Sequence, residues 1–302
     1  MHYDNIYGIT LDRHDALRNV VTVDGHDVEL ANLENGPPGG KGGNSYVFRM
    51  ISEAWGDECV IKICAYHKDC GGRDKKRRQR FEREIEALEK AKDNGLGESI
   101  VDIICDGTLK ISGFEFRYFV MPKADSDLSQ FLENEELSLS SKFLLCHNIF
   151  EAVNRLHEID IYHRDIKPDN FMIFKSTIRV GDLGLCAYRD EDNHLDRGER
   201  KIGPFGFLSP EAVNRCCATS RSKLFGQGCE IDTASDFFQL GMLFWFILQG
   251  DVPVGQLVPS DLKGVDDRVV FENLIIPLLQ FDKKRRAKYR DIAAALGGLA
   301  QP

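Results

Sequence analysis

Residues 161–170, IYHRDIKPDN, place Arg164, Asp165, Lys167 and Asp169, beside His163, between two apolar runs, LLCHNIFEAVNRLHEIDI and FMIF. Charges this close to a core are destabilising unless they are paired or used. A chain that carries such a decapeptide must fold so that the loop leaves a core with partners arranged around it. The sequence on either side supplies that core. Residues 1–62 read as short strands: NVVTVDG, DVELANL, SYVFRMI and ECVIKIC carry β-branched and aromatic residues between Gly, Asn and Asp breaks. Residues 74–92 form an amphipathic helix, with Phe81, Ile85 and Leu88 at helical spacing. Strand-like segments follow near IVDIICDGT and FRYFVMP.

After Pro122 helical patterns dominate. SLSSKFLLCHNIFEAVNRLHEI is a long helix with Ser138 or Ser140 as N-cap. Residues 237–250, 268–281 and 288–299 also read as helices. A strand-rich part with one main helix, followed by a larger, mainly helical part, is an α+β pattern with two lobes. We expect one domain over 1–302, with an N-lobe and N-terminal extension over 1–123 and a C-lobe over 124–302. Clefts between lobes are preferred ligand sites.

Totals narrow the function. A hydrophobic fraction of 42% and a charged fraction of 29% describe a globular chain. The net charge of −9 argues against a nucleic-acid partner. Nine scattered cysteines with no CxxC pair fit reduced thiols better than metal ligands. The N-terminus has no apolar signal-like run, and the most apolar window, FFQLGMLFWFILQG, is too short to span a bilayer. The expectation is a cytoplasmic protein without membrane insertion.

Several segments carry chemistry. In GGKGGNSYVF, Gly40, Gly42 and Ser45 fit G-x-G-x-x-[G/S], with Val47 two residues on. Glycines let backbone N–H groups approach phosphate oxygens. The run lies between strands, which disfavours a dinucleotide-binding turn, and the absence of G-K-[S/T] excludes a P-loop. Lys62 in CVIKIC either points to solvent from an edge strand or faces inward and needs an anion, for which Glu84 is the candidate. Asp165 is placed to accept a proton from an attacking hydroxyl, and Lys167 to neutralise charge on a transferring phosphoryl group. Asn170 offers an amide oxygen to a hard cation. Asp182, in VGDLGL, offers a carboxylate suited to Mg²⁺.

In this order these elements resemble the eukaryotic-type serine/threonine protein kinases: a glycine loop, a strand lysine, a helix glutamate, H-R-D-x-K-x-x-N and D-x-G. The likeness runs from about Gly40 to Arg286. It implies the two-lobed kinase fold, ATP and Mg²⁺ as cofactors, and transfer of the γ-phosphate to serine or threonine hydroxyls of a protein substrate. By the same resemblance Asp165 is the catalytic base, Lys167 and Asn170 complete the catalytic loop, and Asn170 and Asp182 hold metal. Gly40, Gly42, Ser45, Val47, Val60, Lys62, Glu84, Met121, Ala124 and Met172 bind the nucleotide, with Met121 as gatekeeper and Pro122–Ala124 as hinge. LSPE resembles A-P-E and DKKRR resembles D-P-x-x-R, so Glu211 should pair with Arg286. In SDFFQLG, Asp236 should brace the backbone around His163 and Arg164.

The chain departs from that pattern at points. Pro204 stands where a threonine hydroxyl usually reaches Asp165 and Lys167. Residues 185–208 contain no serine or threonine, so only Tyr188 could take a phosphate to pair with Arg164. We expect an acidic residue of RDEDNHLDRGE to satisfy Arg164, or Arg164 to stay free, with no need for phosphorylation there. Residues 212–235, with Thr219, Ser220 and Ser222, read as a surface insert or a docking segment. The basic run RDKKRRQR reads as a solvated helix start or an anion-binding patch. Two other readings compete: an ATP-binding pseudokinase scaffold, and a small-molecule phosphotransferase on the same fold. The sequence does not name the substrate, the activating signal or the oligomeric state.

Overall fold

A computed structural model describes residues 1–34, 43–56, 58–175, 177–189, 194–196, 201–218, 228–264 and 268–299. Gly40 and Gly42 of the expected phosphate loop, and Thr219, Ser220 and Ser222 of the expected insert, lie outside the described residues. Two compact units emerge. One comprises Met1–Gly97 and Val101–Ala124, the other Glu98–Ile100 and Asp125–Pro302.

The first unit is built on a six-stranded antiparallel sheet. Its strands are β3 (Val20–Val23), β4 (His26–Ala31), β5 (Ser45–Ile51), β6 (Cys59–Cys64), β7 (Cys105–Ile111) and β8 (Phe114–Pro122), in the order β3-β4-β5-β6-β8-β7. Side chains alternate between faces. One face gathers Tyr46, Phe48, Met50, Ile61, Ile63, Tyr118 and Val120 into an apolar cluster. The N-terminal hairpin, β1 (His2–Asp4) and β2 (Gly8–Thr10), brings Ile9 into that cluster, with Met1, Tyr3 and Leu11 packed against it. The helix α1 (Gly72–Asp93) buries Phe81, Glu84, Ile85 and Leu88, and the Phe81 ring meets Phe119 at 5.4 Å. The central strand β6 is therefore buried along its whole length, which explains its nearly unbroken apolar run. The strand expected near residue 100 starts at Cys105 instead. Ile100 forms a parallel bridge with Val180 in the second unit.

The second unit is mainly helical. It contains β9 (Ser126–Asp127), α2 (Leu128–Asn134), α3 (Leu139–Glu158), β10 (Ile161–Tyr162), β11 (Phe171–Phe174), β12 (Thr177–Val180) and β13 (Ala187–Tyr188). The helices α4 (Pro210–Cys217), α5 (Thr233–Gln249), α6 (Arg268–Val270), α7 (Ile276–Leu278) and α8 (Tyr289–Leu299) follow. Ser138, not Ser140, caps α3, accepting from Ser141 N at 3.1 Å. The buried helix α5 begins four residues before the apolar window, at a capping box of Asp232 and Ser235. Leu240, Leu243 and Phe244 are fully buried, each worth about 1.5–3 kcal/mol of apolar burial. The helix expected over 268–281 is broken. Pro277 cannot donate to the carbonyl four residues back, and the preceding turn, Phe271–Ile275, widens to π geometry.

Two features of this unit position its loops. The hairpin β11–β12 pairs Phe171 with Val180 at its open end, so Asn170 and Gly181 flank the same pair, and Gly181 N donates to Asn170 O at 2.8 Å. The start of α4 is tied to the loop before α8. Glu211 accepts from Arg286 Nη2 at 2.9 Å and Nη1 at 3.2 Å, with both residues about 2% exposed. Arg286 also donates to the carbonyls of Ala234 and Gln280. Removing one partner leaves the other charge buried, which costs about 3–5 kcal/mol. Arg286→Ala is expected to lower stability by that amount, read as a lower urea midpoint with an unchanged slope.

Candidate active site

Strand pairing in the first unit collects the expected nucleotide residues on one face. Val47 lies opposite Lys62, Lys62 opposite Phe119, and Val60 opposite Met121. With Ser45 opposite Cys64, the residues Ser45, Val47, Val60, Lys62 and Met121 share the face away from the apolar cluster. Lys62 is not on an edge strand. It is 8% exposed, and its Nζ lies 2.6 Å from Glu84 Oε1 on α1 and 5.7 Å from the Phe119 ring centroid. Among the strand positions this is where a buried ammonium meets a carboxylate, a geometry that offers an oriented positive charge to an anion. After β8, Lys123 N donates to Glu58 O at 2.7 Å, fixing the segment that holds Ala124.

The decapeptide of the opening motif lies in the second unit. Its backbone is strained at Arg164, whose φ is 66°. Such a residue costs about 1–3 kcal/mol unless its surroundings impose it. Here they do. The fully buried Asp236 of α5 accepts from His163 N through Oδ2 and from Arg164 N through Oδ1, both at 2.8 Å. His157 of α3 donates through Nε2 to Asp236 Oδ2 at 2.9 Å. Hydrogen bonds to a buried carboxylate are worth about 1.5–3 kcal/mol each, enough to hold the turn. The His163 ring bridges two backbone groups: Nε2 lies 3.1 Å from Gly181 O, and Nδ1 accepts from Asp165 N at 3.2 Å. It links the loop to the residue before Asp182.

The chemistry-bearing groups converge here. Asn170 Nδ2 donates to Asp165 O at 2.7 Å and to Asp165 Oδ2 at 2.8 Å. Lys167 Nζ lies 3.2 Å from Asp169 Oδ2. Burial, then the neighbouring Asp182, pushes the Asp165 carboxyl above the ordinary carboxylate range, despite the opposing effects of His163, Asn170 and Lys167. For Lys167, burial disfavours the charge, but Asp165, Asp169 and Asp182 outweigh it and raise the ammonium's value. Asp182 sits at a left-handed backbone position, φ 49°, which turns the chain out of β12. Met172 pairs with Arg179 and with Asp127 in the three-stranded sheet β12-β11-β9.

Arg164 turns away from Asp165. Its guanidinium grips Asp196 as a fork, Nη1 to Oδ2 at 2.5 Å and Nη2 to Oδ1 at 3.2 Å, and donates to the carbonyls of Leu185 and Cys186. Arg215 of α4 donates to Asp196 O at 2.9 Å. Among the acids of RDEDNHLDRGE, it is Asp196 that lies against the arginine, 5% exposed. Acids at 190–192 and 199 lie outside the described residues.

The donor set suits a hard divalent cation. Asn170 spends its amide nitrogen on Asp165, which leaves Oδ1 as the donor atom, and Asp182 adds a carboxylate whose repulsion already reaches Asp165. Among the described residues no cluster of three or more His, Cys, Asp or Glu is arranged to hold a metal. Mg²⁺ commonly takes one or two protein oxygens and completes its shell with phosphate and water. Burial pushes Cys64 up to about 12 and Cys105 up to about 11, far from thiolate. No helix among the described residues is long and apolar enough to cross a membrane.

Comparison with known families decides the class: the protein kinase domain matches residues 35–293. The chain belongs to the protein kinase family. It is 26% identical over 244 residues to the serine/threonine-protein kinase MPS1 of Saccharomyces cerevisiae, covering 79% of this chain and 30% of that protein. It is 26% identical over 267 residues to the liver/testis phosphorylase b kinase gamma catalytic chain of Rattus norvegicus, covering 82% of this chain and 61% of that one. With the dual specificity protein kinase TTK of Mus musculus it shares 23% over 226 residues, covering 72% of this chain and 24% of that protein. The chain thus spans less than two thirds of the length of these relatives.

Sequence reasoning missed His157 and did not single out Asp196. A histidine at the end of a long amphipathic helix was the available signal for the first. The second needed the fold to choose among several acids.

The Asp165 shift has a stability consequence. A carboxyl held above its unfolded value favours folding only while protonated, so the penalty appears as pH rises through the raised native value. Asp165→Asn removes it. In thermal melts at neutral pH this variant is expected to unfold above the wild type, with the gain shrinking toward about pH 4.

Proposed function

We propose that the chain transfers the γ-phosphate of ATP to serine or threonine hydroxyls of protein substrates. The observation that carries this reading is the state of Asp165: partly buried, with its carboxyl raised by burial and Asp182 and its orientation held by Asn170. The shift is upward, the direction that makes a carboxylate a stronger base. Asp165 orients the acceptor hydroxyl and takes its proton. Lys167, kept cationic by three carboxylates, neutralises charge as it develops on the phosphoryl group. Lys62, oriented by Glu84, grips phosphate oxygens, and Val47, Val60, Met121, Ala124 and Met172 enclose the base of the nucleotide. Asn170 and Asp182 are the residues that would hold Mg²⁺, which when bound neutralises phosphate charge. Most of the rate enhancement then comes from positioning and electrostatics.

The Arg164–Asp196 fork supports activity without a phosphate to pair with Arg164. An arginine that elsewhere waits for a phosphate already has a carboxylate, and Arg215 holds that carboxylate's backbone. Activity in this reading needs no phosphate between residues 185 and 208, Tyr188 included. A second acceptor class has one argument: the relatives include a kinase described as dual specificity, which makes tyrosine the alternative hydroxyl.

Two outcomes are expected. With labelled ATP and casein as acceptor, Asp165→Asn loses at least about 10²-fold in phosphate incorporation, and phosphoamino-acid analysis of the wild-type product gives phosphoserine and phosphothreonine. Phosphatase-treated enzyme keeps its turnover, whereas Asp196→Ala lowers it about tenfold or more through loss of a buried charge pair. An activating phosphate at Tyr188 found by mass spectrometry would contradict the second.

A further inference from the structure

Gln239 sits in the most apolar stretch of the chain, within FFQLGMLFWF of α5, and is 1% exposed. A buried primary amide must find partners for its donors and acceptor or lose stability. Its partners are specific. Gln239 Oε1 accepts from Ile166 N at 3.1 Å, and Nε2 donates to Arg164 O at 3.2 Å. These are the backbone groups on either side of Asp165. One side chain therefore spans the two peptide units that carry the proposed base. The same amide packs against Gly203: a Cβ built there would lie 3.3 Å from Gln239 Nε2 and 3.3 Å from Arg164 O. The segment leading to α4 closes over the clamp and excludes a bulkier backbone at that point.

Asp236, one helical turn earlier, cannot do this. It accepts from His163 N and Arg164 N, so it fixes the entry to the loop. It has no donor with which to hold a carbonyl, and it does not reach the far side of Asp165. Residues three apart share a helix face, so Asp236 and Gln239 form one template on α5, with Gln239 responsible for the half that includes Asp165. An amide is the side chain this task requires, because the loop presents one acceptor and one donor.

We infer that Gln239 is a positioning residue for phosphoryl transfer, acting through the backbone on both sides of Asp165. This rests on the reading of Asp165 as the base. Its effect belongs to the orientation of the acceptor hydroxyl and not to nucleotide binding.

The test uses Gln239→Met, which keeps nearly the same volume without the hydrogen bonds, and Gln239→Ala, measured against wild type and Asp165→Asn. Turnover is followed with magnesium ATP and casein, and backbone amide exchange is followed over residues 161–168. Gln239→Met is expected to lower kcat at least tenfold with KM for ATP within twofold, and to speed exchange at Ile166 while His163 and Arg164 stay protected. Unchanged kcat in a folded Gln239→Met protein, or a fall in kcat matched by a rise in KM for ATP, overturns the inference. So does unaltered exchange at Ile166 in both variants. If Asp165→Asn turns over like wild type, the reading of Asp165 has failed whatever the Gln239 variants do. If Asp165→Asn is inactive and Gln239→Met is not, the base stands and the clamp falls.

Discussion

The buried carboxylate of Asp236 is the interaction on which the candidate site depends. A charge with no solvent exposure is tolerable only with its lone pairs filled, and they are filled by the N–H groups of His163 and Arg164 and by the His157 ring. The dependence runs both ways. Those N–H groups point inward only because Arg164 adopts a left-handed backbone, and that conformation persists because α5 places an anion beneath it. The hydrophobic burial of α5 thus becomes the anchor of a polar loop. Helix packing holds Asp236, Asp236 holds the turn, and the turn presents Asp165.

Around that turn the remaining groups are placed by short-range geometry. The hairpin β11–β12 makes Asn170 and Gly181 neighbours, and His163 ties Gly181 to the N–H of Asp165. Asp165 and Asp182 then sit close enough for mutual repulsion to raise the Asp165 carboxyl after burial has already done so. A pair of acids held together against their repulsion is a feature of functional sites more than of stable surfaces. In the first unit a separate balance operates. Lys62 is carried on a strand buried on both faces, and its ammonium is tolerable there because α1 delivers Glu84.

Much of this was legible in the chain. Lys62 could be read as solvent-facing on an edge strand or as inward, and the pairing of β6 between β5 and β8 decides for the second. The order HRDIKPDN, then VGDLGL, marked the loop and the second carboxylate because charges beside apolar runs need a reason. Other features were invisible because they depend on which of several equivalent residues the fold selects. Asp196 competes with neighbouring acids of the same chemistry, and only the position of the Arg164 guanidinium distinguishes it. Gln239 carried a readable signal, a lone amide in an apolar helix, but its partners lie more than 70 residues away in sequence. The start of β7 and the break of the 268–281 helix before Pro277 were not legible, because propensity does not report which backbone groups find partners.

Diffraction from crystals grown with magnesium and a non-hydrolysable ATP analogue tests the central claim most directly. The account predicts a cation bound by oxygens of Asn170 and Asp182, the terminal phosphate within hydrogen-bonding distance of Lys167, and the loop from His163 to Ile166 unchanged on Asp236. A cation bound without either residue, or a nucleotide whose terminal phosphate lies away from Asp165 and Lys167, would contradict it.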